Sequence, residues 1–240
     1  MDLTTLARNN PEAFEKKTVD QIVSIAADGK LVDGSECSLQ FREFLKYQSA
    51  ETIVRYTKFC ISHIDDHHAC ILQDLVNEFG RRLDFNVVPG KYRGSHGPDG
   101  YDGIWAAGKK QLVIVSKTTD DYKINVEKLM ASFEREGASD KSGVSFYGLI
   151  ITGRQDTWDI ESHIKGSRFF ADVRVISIPA LFKLLAPYEA TDNKKLTKKI
   201  RDFLFPKDYI RLDQLVTDIF DPVLGADEPA VEAVPEPVKS

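Results

Sequence analysis

The chain has 240 residues, 42% apolar and 29% charged, which is ordinary for a globular protein of one average domain plus an appendage. No apolar run approaches the roughly 20 residues needed to cross a bilayer. The N-terminal MDLTTLARNNPEAFEKK lacks a signal-peptide core, and Cys37, Cys60 and Cys70 have no close metal-type spacing, so a cytoplasmic protein with reduced thiols and no membrane contact is expected.

The net charge of −5 is misleading as a guide to partners. Five acids and one lysine give residues 221–240 a charge of −4, which leaves residues 1–220 at about −1. A near-neutral body can still carry a local basic face, so charge neither supports nor excludes a DNA partner. The chain has no phosphate loop of P-loop type, no nucleophile elbow and no Cys/His metal cluster.

Residues 1–64 read as a helical N-terminal subdomain. Pro11, with Glu12, Ala13 and Phe14 after it, suits a helix start. Ile22, Val23 and Ile25 form a short apolar segment. Asp28-Gly29 and Asp33-Gly34 are turn signals. Phe41, Phe44 and Leu45 recur at helical spacing, as do Ile53, Tyr56 and Cys60. His63, Asp65, Asp66, His67 and His68 invite a metal reading. A helix cap by Asp65 or Asp66 explains them better.

A helix is expected over 67–83, with Leu72, Leu75, Val76, Phe79 and Leu83 as its buried stripe. Asp74 and Glu78 stack on one flank, four residues apart. A short strand over 84–88 precedes a loop over 89–100 with four glycines and two prolines. Gly-rich loops beside a site often touch substrate, and Lys91 and Arg93 could meet phosphates there.

The next stretch, GYDGIWAAGKKQLVIVSKTTDDY (100–122), reads as a hairpin turning near Gly108-Lys109. Paired residue numbers then sum to about 217, which sets Asp102 opposite Val115. Lys117 follows on the Val115 face, because side chains alternate along a strand. A carboxylate and an ammonium at one sheet edge suit a divalent metal and charge stabilisation. Beyond it, the pattern predicts a helix over 122–135, a strand over 144–152, a helix over 159–170, a strand over 173–178 and a closing helix over 179–185. That order implies a parallel sheet edge. Residues 188–220 read as basic helices, with Lys194/Lys198 and Lys195/Lys199 as i,i+4 pairs that could follow a phosphate backbone. The Pro-rich acidic tail 221–240 reads as disordered.

Asp102, Lys117 and the ending Thr118-Thr119-Asp120 with Tyr122 resemble the PD-(D/E)XK nuclease superfamily. The segments LQDLVNEFGRRL, ITGRQDTWDIESHIKGSRFF and VRVISIPALFKLL are similar to bacterial restriction-endonuclease-like proteins. The resemblance covers 65–187 and implies a three-layer α/β/α fold with a mixed sheet. It implies a Mg²⁺- or Mn²⁺-dependent DNA endonuclease of restriction or phage-defence type, with a homodimer as one assembly. Asp102 would ligate the metal with Glu78 and the Val115 backbone carbonyl, and Lys117 would stabilise developing charge. Arg154, Lys165 and Arg168 are further phosphate candidates. The family's middle acid is replaced by Val115. Glu78, Asp74 or Asp120 could supply it, the site could be impaired, or the chain could be a non-catalytic relative that binds DNA or a partner subunit.

Overall fold

Five strands form one open mixed sheet in sequential order: β1 (Asn86–Pro89), β2 (Gly103–Ala107), β3 (Lys110–Lys117), β4 (Ser145–Thr152) and β5 (Val173–Ser177). The computed structural model describes residues 2–63, 65–92, 100–117, 125–139, 143–153, 157–190, 194–205, 209–213 and 215–216. The first three strands are antiparallel neighbours, and β3, β4 and β5 run parallel. The hairpin register matches the sequence reading: Gly103 pairs with Ile114 and Ala107 with Lys110. Gly108 turns the chain at φ 62°, a left-handed conformation that glycine adopts without steric cost. One addition lies at the far edge. Val175 N–H donates to the Ile210 carbonyl and its own carbonyl accepts from Leu212 N–H, extending β5 by a single bridge.

The alternation along the strands sorts the core into two faces. Leu112, Ile114, Leu149, Ile151 and Ile176 pack on one side with α6 (Asp66–Arg82) and α9 (Ile178–Ala190). On the other side, Val113, Val115, Ile150 and Val175 pack against α7 (Val126–Ser139) and α8 (Trp158–Gly166). The result is an α/β fold with helices on both faces. α7 opens with Asn125, whose side chain accepts from Lys128 N–H at 2.9 Å. α8 ends at Gly166, short of the expected residue 170. Ser167 is extended there, and its hydroxyl accepts the Phe169 N–H at 3.1 Å, so the chain turns out of the helix.

The N-terminal segment folds as α1 (Leu3–Asn9), α2 (Pro11–Glu15), α3 (Val19–Ile25), α4 (Glu36–Lys46) and α5 (Ala50–Ile61). Local caps explain the boundaries. Thr18 and Gln21 form a reciprocal capping box on α3, and Ser35, Ser49 and Asp65 each accept the N–H three residues on. Their apolar faces join the sheet's own core: one buried cluster runs from Leu3 through Phe41, Ile53 and Phe79 to Ile176 and Val216. α10 (Lys194–Phe203) packs on α9, and its exposed Lys198 pairs with Asp202 at 2.7 Å.

Two glycines let α6 sit close to β2. A Cβ on Gly80 would fall 2.5 Å from the Trp105 ring, and one on Gly103 would fall 2.1 Å from Asn77 Oδ1. In that space Asn77 donates to the Asp102 carbonyl at 2.8 Å and accepts from Trp105 Nε1 at 3.1 Å. Both polar groups are thus satisfied in a buried seam.

Candidate functional site

β2 stops at Gly103, but β3 continues to Lys117. The Ser116 N–H therefore has no backbone partner on the β2 side, and Asp102 supplies one. Its Oδ2 accepts from Ser116 N–H at 2.5 Å and from Ser116 Oγ at 2.9 Å. Among the described residues, Asp102 Oδ1 has no hydrogen-bond partner. Burial pushes the Asp102 carboxyl up from its ordinary range, against the opposing pull of Ser116 N–H, Lys117 and the Ser116 hydroxyl.

The same geometry separates Asp102 from the Val115 side chain. Val115 is only 3% exposed and packs with Val113, Leu129 and Phe133 under α7. The Val115 carbonyl is also directed elsewhere. Ile114 O accepts from Asp102 N–H and Lys117 O accepts from Gly153 N–H, so even positions of β3 face β2 and odd positions face β4. The carbonyl that shares the Asp102 side is that of Ser116, not that of Val115.

Asp102, Ser116 and Lys117 line a cleft of about 970 Å³. The facing wall comes from Gly29 to Asp33 of the N-terminal segment and from Asp66, His67, Ala69, Cys70 and Gln73 in the first half of α6. Lys30 adds a second ammonium to the lining. Gln73 donates to the Gly90 carbonyl at 2.9 Å and fixes the chain entering the loop after β1. The 29–33 wall was legible in sequence only as two turn signals, with nothing to associate it with Asp102.

Tyr92, also in the lining, is held from three sides. Its N–H donates to Asp33 at 2.9 Å and its hydroxyl to Asp74 at 2.5 Å, and the Arg42 guanidinium lies 5.0 Å from its ring centroid. Asp74 is completely buried and also accepts from Arg42 Nε at 2.7 Å. Burial pushes the Asp74 carboxyl up, opposed by Arg42 and Tyr92. Burial and the Asp74 charge together raise the Tyr92 phenol. Asp74 is therefore committed to anchoring Tyr92 beneath the cleft.

Glu78 does not reach the cleft. It is 3% exposed and held by Arg81 at 3.3 Å and Arg82 at 3.2 Å, while Arg82 continues to the Leu45 and Gln48 carbonyls. One residue on from Asn77, it is turned about 100° around α6 from the face that meets Asp102. Lys91 is exposed just after β1. Lys165 and Arg168 are exposed at the end of α8 and beyond it, where Arg168 lies 4.4 Å from the Phe169 ring centroid. Arg93, Arg154, Asp120 and the rest of the Thr118–Tyr122 ending lie outside the described residues. Asp65 caps α6, as the sequence suggests, and accepts from His68 Nδ1 at 2.7 Å.

Among the described residues, no group of three His, Cys, Asp or Glu side chains is placed to hold a metal ion. Mg²⁺ typically takes one or two carboxylates, with waters and substrate phosphate completing its shell. Asp102 Oδ1 and the Ser116 carbonyl fit that smaller donor set. No helix among the described residues is long and apolar enough to cross a membrane. The chain matches no protein-family model, no curated protein and no solved structure.

Proposed function

We propose that the chain is a nuclease-fold protein of the PD-(D/E)XK kind, whose cleft binds a DNA phosphodiester and hydrolyses it with Mg²⁺. The observation that carries this reading is the meeting of Asp102 and Lys117 in one cleft, with Asp102 pinned through one oxygen by Ser116. Asp102 Oδ1 and the Ser116 carbonyl would hold the ion. Bound there, Mg²⁺ supplies polarisation of a phosphoryl oxygen. Lys117 offsets the charge that builds on the phosphoryl group, and Lys30 draws the phosphate toward the cleft from the facing wall. A role in restriction or phage defence inside a bacterial cell, as a monomer or a homodimer, follows from the resemblance alone.

A second reading has its own support. Val115 fills an apolar cluster and Glu78 is neutralised by two arginines, so the cleft has one hairpin carboxylate where an active relative has two. On this reading the chain keeps the fold to bind DNA or a partner subunit without cutting. Incubation of supercoiled plasmid with Mg²⁺ or Mn²⁺ separates the two. Nicking by the wild type that disappears in Asp102→Ala and falls in Lys117→Ala supports the hydrolase. Equal, background-level nicking in all three proteins, with DNA binding retained, supports the binder.

A further inference from the structure

Where α3 reaches the start of α6, three histidines and two carboxylates come together: His63, His67, His68, Asp20 and Asp65. His68 is buried, and its two ring nitrogens face different acids. Nδ1 lies 2.7 Å from Asp65 Oδ2, and Nε2 lies 3.2 Å from both carboxylate oxygens of Asp20. A neutral imidazole has one N–H and one lone pair, so it can donate to only one of these acids, whereas imidazolium donates to both. Asp65 is the firmer partner, since it also accepts the His68 backbone N–H at 2.9 Å as the cap of α6. Asp20 is the looser one. Its Oδ1 is buried yet has no hydrogen bond among the described residues, and His67 Nε2 stands 3.5 Å from it.

The other neighbours from α5 do not replace the missing proton. His63 Nδ1 meets the Phe59 carbonyl at 2.8 Å, and its ring stacks on that of His68 with centroids 4.6 Å apart. Burial, and then the charges of Asp20 and Asp65, push the Cys60 thiol up, so it stays neutral. The His68 backbone N–H, and then its ring, hold Asp65 below the ordinary carboxylate range, so Asp65 stays charged. The pair of Asp20 and His68 matters beyond α3, because α3 runs straight into the cleft wall. Gly29 N–H donates to the Ala26 carbonyl at 2.8 Å, and Gly29 to Asp33 line the cleft. Between them Ala27 sits at φ 46°, a left-handed conformation that persists in alanine only where its surroundings hold it.

We propose that His68 is a proton-operated clasp on the cleft wall. Charged, it ties α3 to α6 and holds the wall that carries Lys30. Neutral, it keeps Asp65, lets go of Asp20 and loosens that wall. Imidazolium is the form that the two-acid geometry of the folded chain satisfies. The tie is therefore present at low pH and is lost as pH rises through the range where histidines change charge, roughly pH 5–8. This holds whatever the cleft binds, so absence of plasmid nicking would leave it standing.

Histidine ¹⁵N shifts of the wild-type chain read the proton positions directly, at pH ~5.5 and pH ~8.5 on either side of that range. His68 should carry protons on both ring nitrogens at the lower pH and on Nδ1 alone at the higher. A neutral ring protonated on Nε2, which would keep Asp20 and release Asp65, overturns the proposal. So does a ring with the same charge at both pH values. A double-mutant cycle of Asp20→Asn and His68→Gln in urea unfolding isolates the pair, because the other titrating groups are common to all four proteins. The coupling should be about fivefold in the unfolding equilibrium constant at pH ~5.5, the scale of a half-exposed charged hydrogen bond, and absent at pH ~8.5. Equal coupling at both pH values, or coupling that vanishes in a His67→Gln background, overturns the clasp. Hydrogen exchange connects it to the wall. Corrected for the intrinsic effect of pH, the Gly29 amide should exchange faster at pH ~8.5 in the wild type and fast at both pH values in His68→Gln. Protection of Gly29 that does not change with pH overturns the link to the cleft.

Discussion

Replacing Val115 by Glu restores the acid that the PD-(D/E)XK pattern calls for, yet the fold predicts a loss of stability with no gain of cleavage. The side chain points under α7 into Val113, Leu129 and Phe133 and is 3% exposed. A carboxyl buried among apolar groups has a pKa of roughly 8–9, against ~4.3 in the unfolded chain. A folded-state pKa raised above the unfolded value means that the folded form holds its proton while the unfolded form loses it. Stability therefore falls as pH rises from ~4.3 toward the folded pKa. At ~1.4 kcal/mol per pH unit, the titration costs about 1 kcal/mol at pH 5 and about 3.5 kcal/mol at pH 7. Val115→Gln has similar bulk and polarity but does not titrate, so the Glu variant should match it near pH 4.5 and fall below it by about 3.5 kcal/mol at pH 7. Urea unfolding of both variants and the wild type at the two pH values measures this. Equal stability of the Glu and Gln variants at pH 7 would show that the carboxylate reaches water, and a gain of Mg²⁺-dependent nicking would bring it to the cleft. Either result refutes the packing assigned to Val115.

Two further substitutions probe the frame around the cleft. Asp74→Ala leaves Arg42 and the Tyr92 hydroxyl without their shared acceptor, so a loss of about 3–5 kcal/mol is expected in denaturant unfolding; Tyr92→Phe, which keeps the ring over Arg42, should lose about 1.5–3 kcal/mol. Gly103→Ala places a methyl group 2.1 Å from Asn77 Oδ1 and should cost about 1–3 kcal/mol by overpacking. Adding Asn77→Ala to Gly103→Ala should then cost less than the sum of the two single changes, and strict additivity in that double-mutant cycle would argue against the seam between α6 and β2.

The sheet was readable because its signals are local. The hairpin register follows from one Gly-containing turn, and the aliphatic run Leu112 to Val115 announces a strand covered on both faces. The partners of the site residues were not readable, since helix rotation and ladder ends depend on tertiary docking. Asp74 and Glu78 lie on one flank in a helical projection, but α6 turns Asn77 toward Asp102 and sends Glu78 to its arginines. The hairpin numbering sets Asp102 opposite Val115, yet β2 begins only at Gly103, one residue later, and the Asp102 carboxylate meets Ser116. The end of α8 was misread for a similar reason: Ser167 satisfies Phe169 N–H with its own hydroxyl, an alternative to the helix that periodicity does not register.

The cleft also changes what the N-terminal helices are for. Of the three carboxylates in its lining, Asp33 accepts the Tyr92 N–H and Asp66 stands in the first turn of α6, where the helix dipole favours an acid. Asp102 is the one that stands beside Lys117 at the end of the hairpin, with Oδ1 lacking a partner among the described residues. A lone carboxylate holds a divalent cation weakly until a phosphate adds its own charge and oxygens. Lys30 and Lys117, one from each wall, are the groups that would bring that phosphate in. The N-terminal segment therefore lines part of the cleft and is more than an appendage. Its loop carries Lys30, its Asp33 fixes Tyr92, and its Arg42 supports the buried Asp74 on which Tyr92 rests.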